Sequence, residues 1–425
     1  MRYYKANDYH YMKQSVNRRM ISLVLCLVFI FPSFLSSCGS KDEAVTVLAD
    51  YGDYGSQIAQ NLASMYPFRK AYSPEEKEAG VFIKSEFEKL GYKVEEQAFS
   101  SADQSGTSTN YIITIPGEGL MFQNSQGTYT AENRQVIVGA HYDTFYGTAD
   151  AASLPGYDGI QDNASGIGCL LTLAQQLRKQ TMGYDVILIA FGAGDASYAG
   201  AEAFTAQMTP QAIAATDAMY CIESIYAGDK LYASAGWNSL VSANKYEMRR
   251  KLYEAYDAVY ENSLSSKNGV DLLYNESGQS LDVNGDSAVD VFREVTTTLS
   301  DYVPFDRAGI PIVFFESYDY NYSDIAAMKE TKNLKLQSNG GLIRRTNADA
   351  ISILKESIPE EQLISRINCT AFILLKAIEK GAHNSLTKAA YAAGTTIAPA
   401  IHVLVTVTPP PKATSTSAAA TPAPS

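Results

Sequence analysis

"RQVIVGAHYD", residues 134–143, decides how this chain folds. From Val136 to Ala140 the run is apolar or glycine without a polar alternation. Such a run suits a strand covered on both faces rather than one lying on a surface. Three more runs share that character: "DVILIAFG" at 185–192, "DAMYCIE" at 217–223 and "IPIVFFE" at 310–316. Helical patterns stand between them, over Ile167 to Lys179 and Pro210 to Ala215, and a closing helix is expected over Glu361 to Lys380. The alternation predicts an α/β fold, a three-layer sandwich with a mainly parallel mixed sheet and helices on both faces.

Upstream, Val81, Phe82, Phe87 and Leu90 recur at helical spacing before the stop at Gly91, and "KVEEQAF" and "TNYIITIPG" read as strands. Tyr246 to Tyr260 reads as a helix, followed by an insertion near 262–298 rich in Ser, Asn and Gly. Inside it, "DVNGDSAVD" (282–290) begins like a dockerin-type calcium loop. Ser287 stands where glycine is needed and Arg293 where the closing carboxylate belongs, so an ordinary turn is the better reading.

The chain has 425 residues, 46% of them hydrophobic, and a net charge of −12. That is enough for one large domain, and the acidic balance argues against nucleic acid as a partner. Lys13, Arg18 and Arg19 precede the apolar stretch Met20 to Leu35, the layout of a secretory signal over 1–37. Its ending, Leu35-Ser36-Ser37-Cys38, resembles a bacterial lipoprotein signal. That resemblance implies lipid on Cys38, a membrane anchor and an extracytoplasmic location; an uncleaved anchor gives the same location. A tether over 38–53, a main domain over 54–382, an uncertain extension over 383–407 and a Pro/Thr/Ala/Ser tail over 408–425 complete the expected organisation. Cys169, Cys221 and Cys369 have no CxxC spacing and read as buried free thiols.

In open parallel sheets, ligands bind beyond the carboxyl ends of the strands. Here those ends carry His141 with Asp143 at i+2, Asp195, Glu223 and Glu316, with Asp162 in the intervening "DNASG". Taken singly, Asp162 is a helix cap, Asp143 a loop acid and His141 a satisfied core histidine. One imidazole and several carboxylates at one sheet edge is the composition of a zinc or two-metal site.

"GAHYD", "PG…DNASG", "FGA" and "IPIVFFE", in that order, make the chain similar to the extracellular zinc aminopeptidase superfamily. That group includes bacterial leucyl aminopeptidases, glutamate carboxypeptidases and glutaminyl cyclases. The resemblance runs from about Tyr54 to Lys380. It implies that His141, Asp162 and Glu223 bind one zinc ion, that Asp143 orients His141, and that Asp162 would bridge to a second ion. It also marks departures. Two adjacent glutamates, a general base and a ligand, are usual where this chain has Gly194 and Asp195. A histidine is usual where it has Tyr302, and the histidine that binds the second ion falls on Arg345, with Asp349 beyond it. A guanidinium has no lone pair to donate. Arg345, held by Asp195 and Asp162, is therefore expected to replace the second cation, and Asp158 is a stand-in candidate for the missing base.

The expected protein is a membrane-anchored relative of these enzymes that acts on or binds peptides or other amides, with one zinc ion and a partly degraded two-metal site. A catalytically inactive binding lipoprotein is the alternative, and cyclase-like acyl transfer a third reading. H-E-x-x-H and G-x-S-x-G are absent, so no rival centre competes.

Overall fold

The computed structural model describes residues 50–145, 153–241, 245–262, 264, 272–274, 279–281, 291–293, 298–320, 328–359 and 361–397. The 1–37 signal, Cys38, most of the 38–53 tether, the 282–290 turn and the 408–425 tail lie outside these residues.

The chain opens with helices α1 (Tyr54–Met65) and α2 (Pro74–Lys89), then strands β1 (Glu95–Ser100), β2 (Thr107–Ile115), β3 (Leu120–Gln123), β4 (Tyr129–Glu132) and β5 (Gln135–His141). Helix α3 (Ser165–Leu177), β6 (Asp185–Phe191), α4 (Ala199–Thr205), α5 (Pro210–Ala215), β7 (Thr216–Glu223) and β8 (Lys230–Ser234) follow. Next come α6 (Asn238–Val241), α7 (Lys245–Glu261) and the short strands β9 (Leu272–Tyr274), β10 (Gln279–Leu281) and β11 (Val291–Arg293). The remainder holds α8 (Val303–Arg307), β12 (Ile312–Tyr318), α9 (Ile351–Ser357), α10 (Glu361–Glu379), β13 (Ser385–Thr387) and α11 (Lys388–Ala392).

Eight strands form one mixed sheet in the order β1-β2-β6-β5-β7-β12-β8-β9. The central pairs β6/β5, β5/β7 and β7/β12 are parallel, whereas β1/β2, β2/β6 and β12/β8 are antiparallel. Alternate residues of the central strands feed two separate cores. Val136, Val138, Leu188, Tyr220 and Phe315 face a large one shared with α1, α3 and α10. Ile137, Ile189, Cys221 and Phe314 face a smaller one completed by Phe305 of α8. Both faces are covered, which is why these strands read as unbroken apolar runs.

Close helix packing depends on glycine. A Cβ on Gly55 would lie 2.6 Å from the carbonyl oxygen of Gly168, so α1 and α3 touch backbone to backbone. Residues 385–387 of the uncertain extension join β3 and β4 as a small antiparallel sheet. Cys169, Cys221 and Cys369 are buried free thiols. Among the described residues no helix is long and apolar enough to cross a membrane.

The topology itself makes the crevice. β5 pairs with β6 on one side and β7 on the other, so connections from its carboxyl end diverge. Register places His141 beside Phe191, and Glu223 beside Glu316, along that rim.

Candidate functional site

His141 is the last residue of β5 and only 4% exposed. Its Nδ1 lies 3.3 Å from Asp143 Oδ1, and its Nε2 lies 3.2 Å from both Asp162 Oδ1 and Glu223 Oε2. Burial disfavours a charged ring, but Glu223, Asp143 and Asp162 outweigh it and push the imidazole well above its usual pKa. A carboxylate behind the ring fixes its tautomer, and two carboxylates in front of Nε2 leave it facing a place for a cation.

Asp162 reaches His141 because other groups take over its expected duty as a cap. It sits in an irregular turn, Ile160–Ala164, ahead of α3. Asp349 accepts the backbone N–H groups of Gln161 and Asp162 at 2.7 and 3.1 Å. Asn163 Oδ1 accepts from Gly166 N at 3.1 Å and from Ser224 N at 2.9 Å, so Asn163 alone is the cap. Arg69, fully buried, ties this turn to the end of β5. It donates to the carbonyls of Tyr142, Tyr66, Asp158 and Gly159. Arg69→Met strands those carbonyls at roughly 1–3 kcal/mol each before water recovers part of the loss. Urea unfolding should show a cost above about 3 kcal/mol, and a loss under about 1 kcal/mol would show that Arg69 does not clamp the turn.

Asp195 and Arg345 meet across the same cleft. Arg345 donates to Asp195 Oδ1 at 2.6 Å, with the acid side chain 4% and the guanidinium 56% exposed. Burial and the nearby Asp162 push the Asp195 carboxyl up to about 7, against the pull of His141 and Arg345. At Gly194 a Cβ would strike His141 and come within 3.2 Å of Asp301 Oδ1. Tyr302 points into the smaller core, its ring against Phe314 and its hydroxyl donating to the Thr298 carbonyl.

Asp158 is a correction. Its carboxylate accepts the backbone N–H groups of Ile160 and Ile351, the latter opening α9, and it does not line the cleft.

Two residues escaped the sequence reading. Asp301 is buried on the cleft wall with both carboxylate oxygens free of hydrogen-bond partners, and burial pushes it up to about 8. Arg344, its side chain 14% exposed, lies 3.1 Å from Glu330 and 3.5 Å from Glu316. Glu330 also accepts the backbone N–H groups of Ile343 and Arg344, fixing the segment that presents Arg345. These groups line a cleft of about 530 Å³ with Leu299, Leu342, Tyr198 and Tyr318 on its walls.

Residues 123–334 match the model of Peptidase family M28. The chain carries an M28 domain. It is 25% identical over 321 residues to the alkaline phosphatase isozyme conversion protein of Escherichia coli, covering 73% of this chain and 82% of that protein. Its fold resembles a glutaminyl cyclase from an Acidobacteriales bacterium (TM-score 0.53, 16% identity, 83% of this chain and 100% of that one). It also resembles a zinc aminopeptidase from Bacillus subtilis (TM-score 0.50, 14% identity, 79% and 97%).

An M28 domain implies zinc, and the donors here fit it. His141 with Asp162 and Asp195, and His141 with Glu223 and Asp301, each gather ligand atoms within 4.8 Å of one another. Asp162 Oδ1, Asp195 Oδ2 and both Asp301 oxygens are buried without a hydrogen-bond partner. Buried carboxylates left this way are costly unless a cation or proton joins them.

Proposed function

We propose that the M28 domain binds peptides or related amides at a single zinc ion, and that Arg345 stands where a second cation would otherwise sit. His141, Asp162 and Glu223 would hold the ion. One observation carries this reading: the Arg345–Asp195 ion pair at 2.6 Å, in the cleft that holds those three residues.

Bound zinc supplies Lewis-acid polarisation of an amide carbonyl. The chain's own groups do the rest. Asp143 orients His141 from behind, and Asp349 fixes the backbone that presents Asp162. Arg345 neutralises Asp195, so this carboxylate is engaged rather than available as a base. Burial pushes the Asp301 carboxyl on the cleft wall up to about 8. Gly194 offers no acceptor at all. Loss of a general base typically costs about 10²–10⁴ in rate. Against common kcat values of about 1–10³ s⁻¹, aminopeptidase turnover here should be slow.

The lipoprotein-type ending at Cys38 supports a membrane-tethered, extracytoplasmic location. Cys38→Ala should move the protein from the membrane to the soluble fraction, and retention at the membrane would remove the lipid anchor from this reading.

Metal analysis of the purified protein should return one zinc ion per chain, lost on His141→Ala. An aminoacyl-anilide assay should give a kcat below about 0.1 s⁻¹, some 10²-fold or more under a typical enzyme. Two ions per chain, or turnover above about 1 s⁻¹, would overturn the proposal.

A further inference from the structure

The backbone that carries Asp195 is held in an unusual way. Four consecutive N–H groups after β6 donate to side chains from distant segments. Gly192 N donates to Asn110 Oδ1 at 3.1 Å, and Ala193 N to Glu76 Oε1 at 2.8 Å. Gly194 N and Asp195 N donate to Asp143 Oδ1 and Oδ2 at 2.7 and 3.0 Å. Asn110 belongs to β2, and Asp143 lies two residues past the end of β5, the two strands that flank β6. Glu76 comes from the first turn of α2, and it is 1% exposed.

Glu76 has the position of a capping-box glutamate, three residues after the cap Ser73, whose hydroxyl accepts from Glu76 N. Such a side chain ordinarily bends back to the cap's own N–H. Here Oε2 takes Tyr72 N at 2.5 Å, and Oε1 takes both Ser108 Oγ at 2.6 Å and Ala193 N. All three partners donate, so the buried carboxylate is met by donors alone. Ala193 stands at φ 51°, a left-handed conformation disfavoured for a residue with a Cβ. A backbone in that state persists only where its surroundings hold it.

We propose that Glu76 is a positioning residue for the metal centre: its grip on Ala193 sets the Gly192–Asp195 backbone and so aims the Asp195 carboxylate at Asp162, His141 and Arg345. The inference deepens the single-zinc reading and rests on it for its metal consequence; the backbone consequence stands apart from it. Without the Oε1 contact, the left-handed turn relaxes and Asp195 leaves the group it shares with His141 and Asp162.

The test compares full-length wild type with Glu76→Ala and Glu76→Gln. Hydrogen exchange is followed on the segment 191–198, zinc affinity by competition with a chelating dye, and thermal midpoint separately. Alanine should speed exchange of the Ala193 to Asp195 amides at least tenfold. It should also weaken zinc by about 10–100-fold, because Asp143, which orients His141, is anchored to the same backbone. Glutamine keeps an acceptor at Oε1 for Ala193 but turns its NH2 toward the Tyr72 N–H, so it should lower the thermal midpoint while disturbing exchange and zinc affinity clearly less than alanine does. Glu76→Asp, one methylene too short to reach Ala193, should behave as alanine does and serves if the alanine variant fails to fold. A lowered midpoint with unchanged exchange and zinc affinity would reduce Glu76 to a structural role and overturn the proposal. Equal damage from glutamine and alanine would overturn it too. If wild type holds no zinc, the single-ion reading falls and the exchange comparison alone decides on Glu76.

Discussion

Arg345→His should raise the zinc content of the purified protein from one ion per chain to two. Arg345 is the cation hydrogen-bonded to Asp195, whose other carboxylate oxygen is buried without a partner. Removing the guanidinium leaves Asp195 beside Asp162 in a site of low dielectric, where two carboxylates cannot both stay ionised without a counter-charge. Histidine supplies a lone pair where arginine has none. It also suits the backbone, because residue 345 stands at φ 59° and histidine is among the residues enriched in that region. Asp162, Asp195 and the new imidazole would then form a second ligand set, with Asp162 shared. Arg345→Met removes the charge without adding a ligand and should stay at one ion. Elemental analysis after dialysis against zinc decides the matter. A histidine variant that still holds one ion would show that the guanidinium is not what keeps a second cation out.

Gly194→Glu, the simplest repair of the missing base, should damage the site instead of restoring it. A Cβ at this position collides with His141, with Cγ of that residue only 2.6 Å away. The atoms in the way belong to the root of a buried side chain in a strand, not to a flexible end, so the neighbours must shift. Overpacking of this kind costs about 1–3 kcal/mol. The strain falls on His141, so zinc affinity should drop by at least about tenfold, the scale seen when a ligand's supporting contacts are lost. Added to Arg345→His, the glutamate should give no gain in aminoacyl-anilide turnover. A Gly194→Glu protein with wild-type melting behaviour and new turnover would show that the 192–195 backbone rearranges freely, contrary to the four hydrogen bonds that three side chains make to it.

The parts of the centre that were readable lie where strand periodicity ends. His141, Asp195 and Glu223 close, or just follow, apolar runs, and parallel register alone brings such ends to one rim. Asp162 was readable as a site acid only through its neighbours, since a capping role predicts the same residue type; Asn163 proves to be the cap. Asp158 failed because backbone amides at Ile160 and Ile351, the second nearly two hundred residues away in the chain, took its carboxylate. Asp301 gave only a weak signal, an acid beside the altered Tyr302. Arg344 and Arg345 are adjacent and chemically alike, yet one is half-buried between Glu316 and Glu330 and the other exposed on Asp195. Glu76 carries the local signature of a helix start and gives no sign of its partner 117 residues away.

By itself the amino-acid order determined the layered α/β architecture and the edge at which chemistry collects. Periodicity and strand termini are local properties, and parallel pairing converts them into a shared rim. Only the tertiary structure decided which acids face one another, which are spent on backbone amides and which cation neutralises Asp195. Those outcomes depend on loop paths that bring together residues far apart in the chain, and on burial, which makes an unpartnered carboxylate costly and so selects its neighbours.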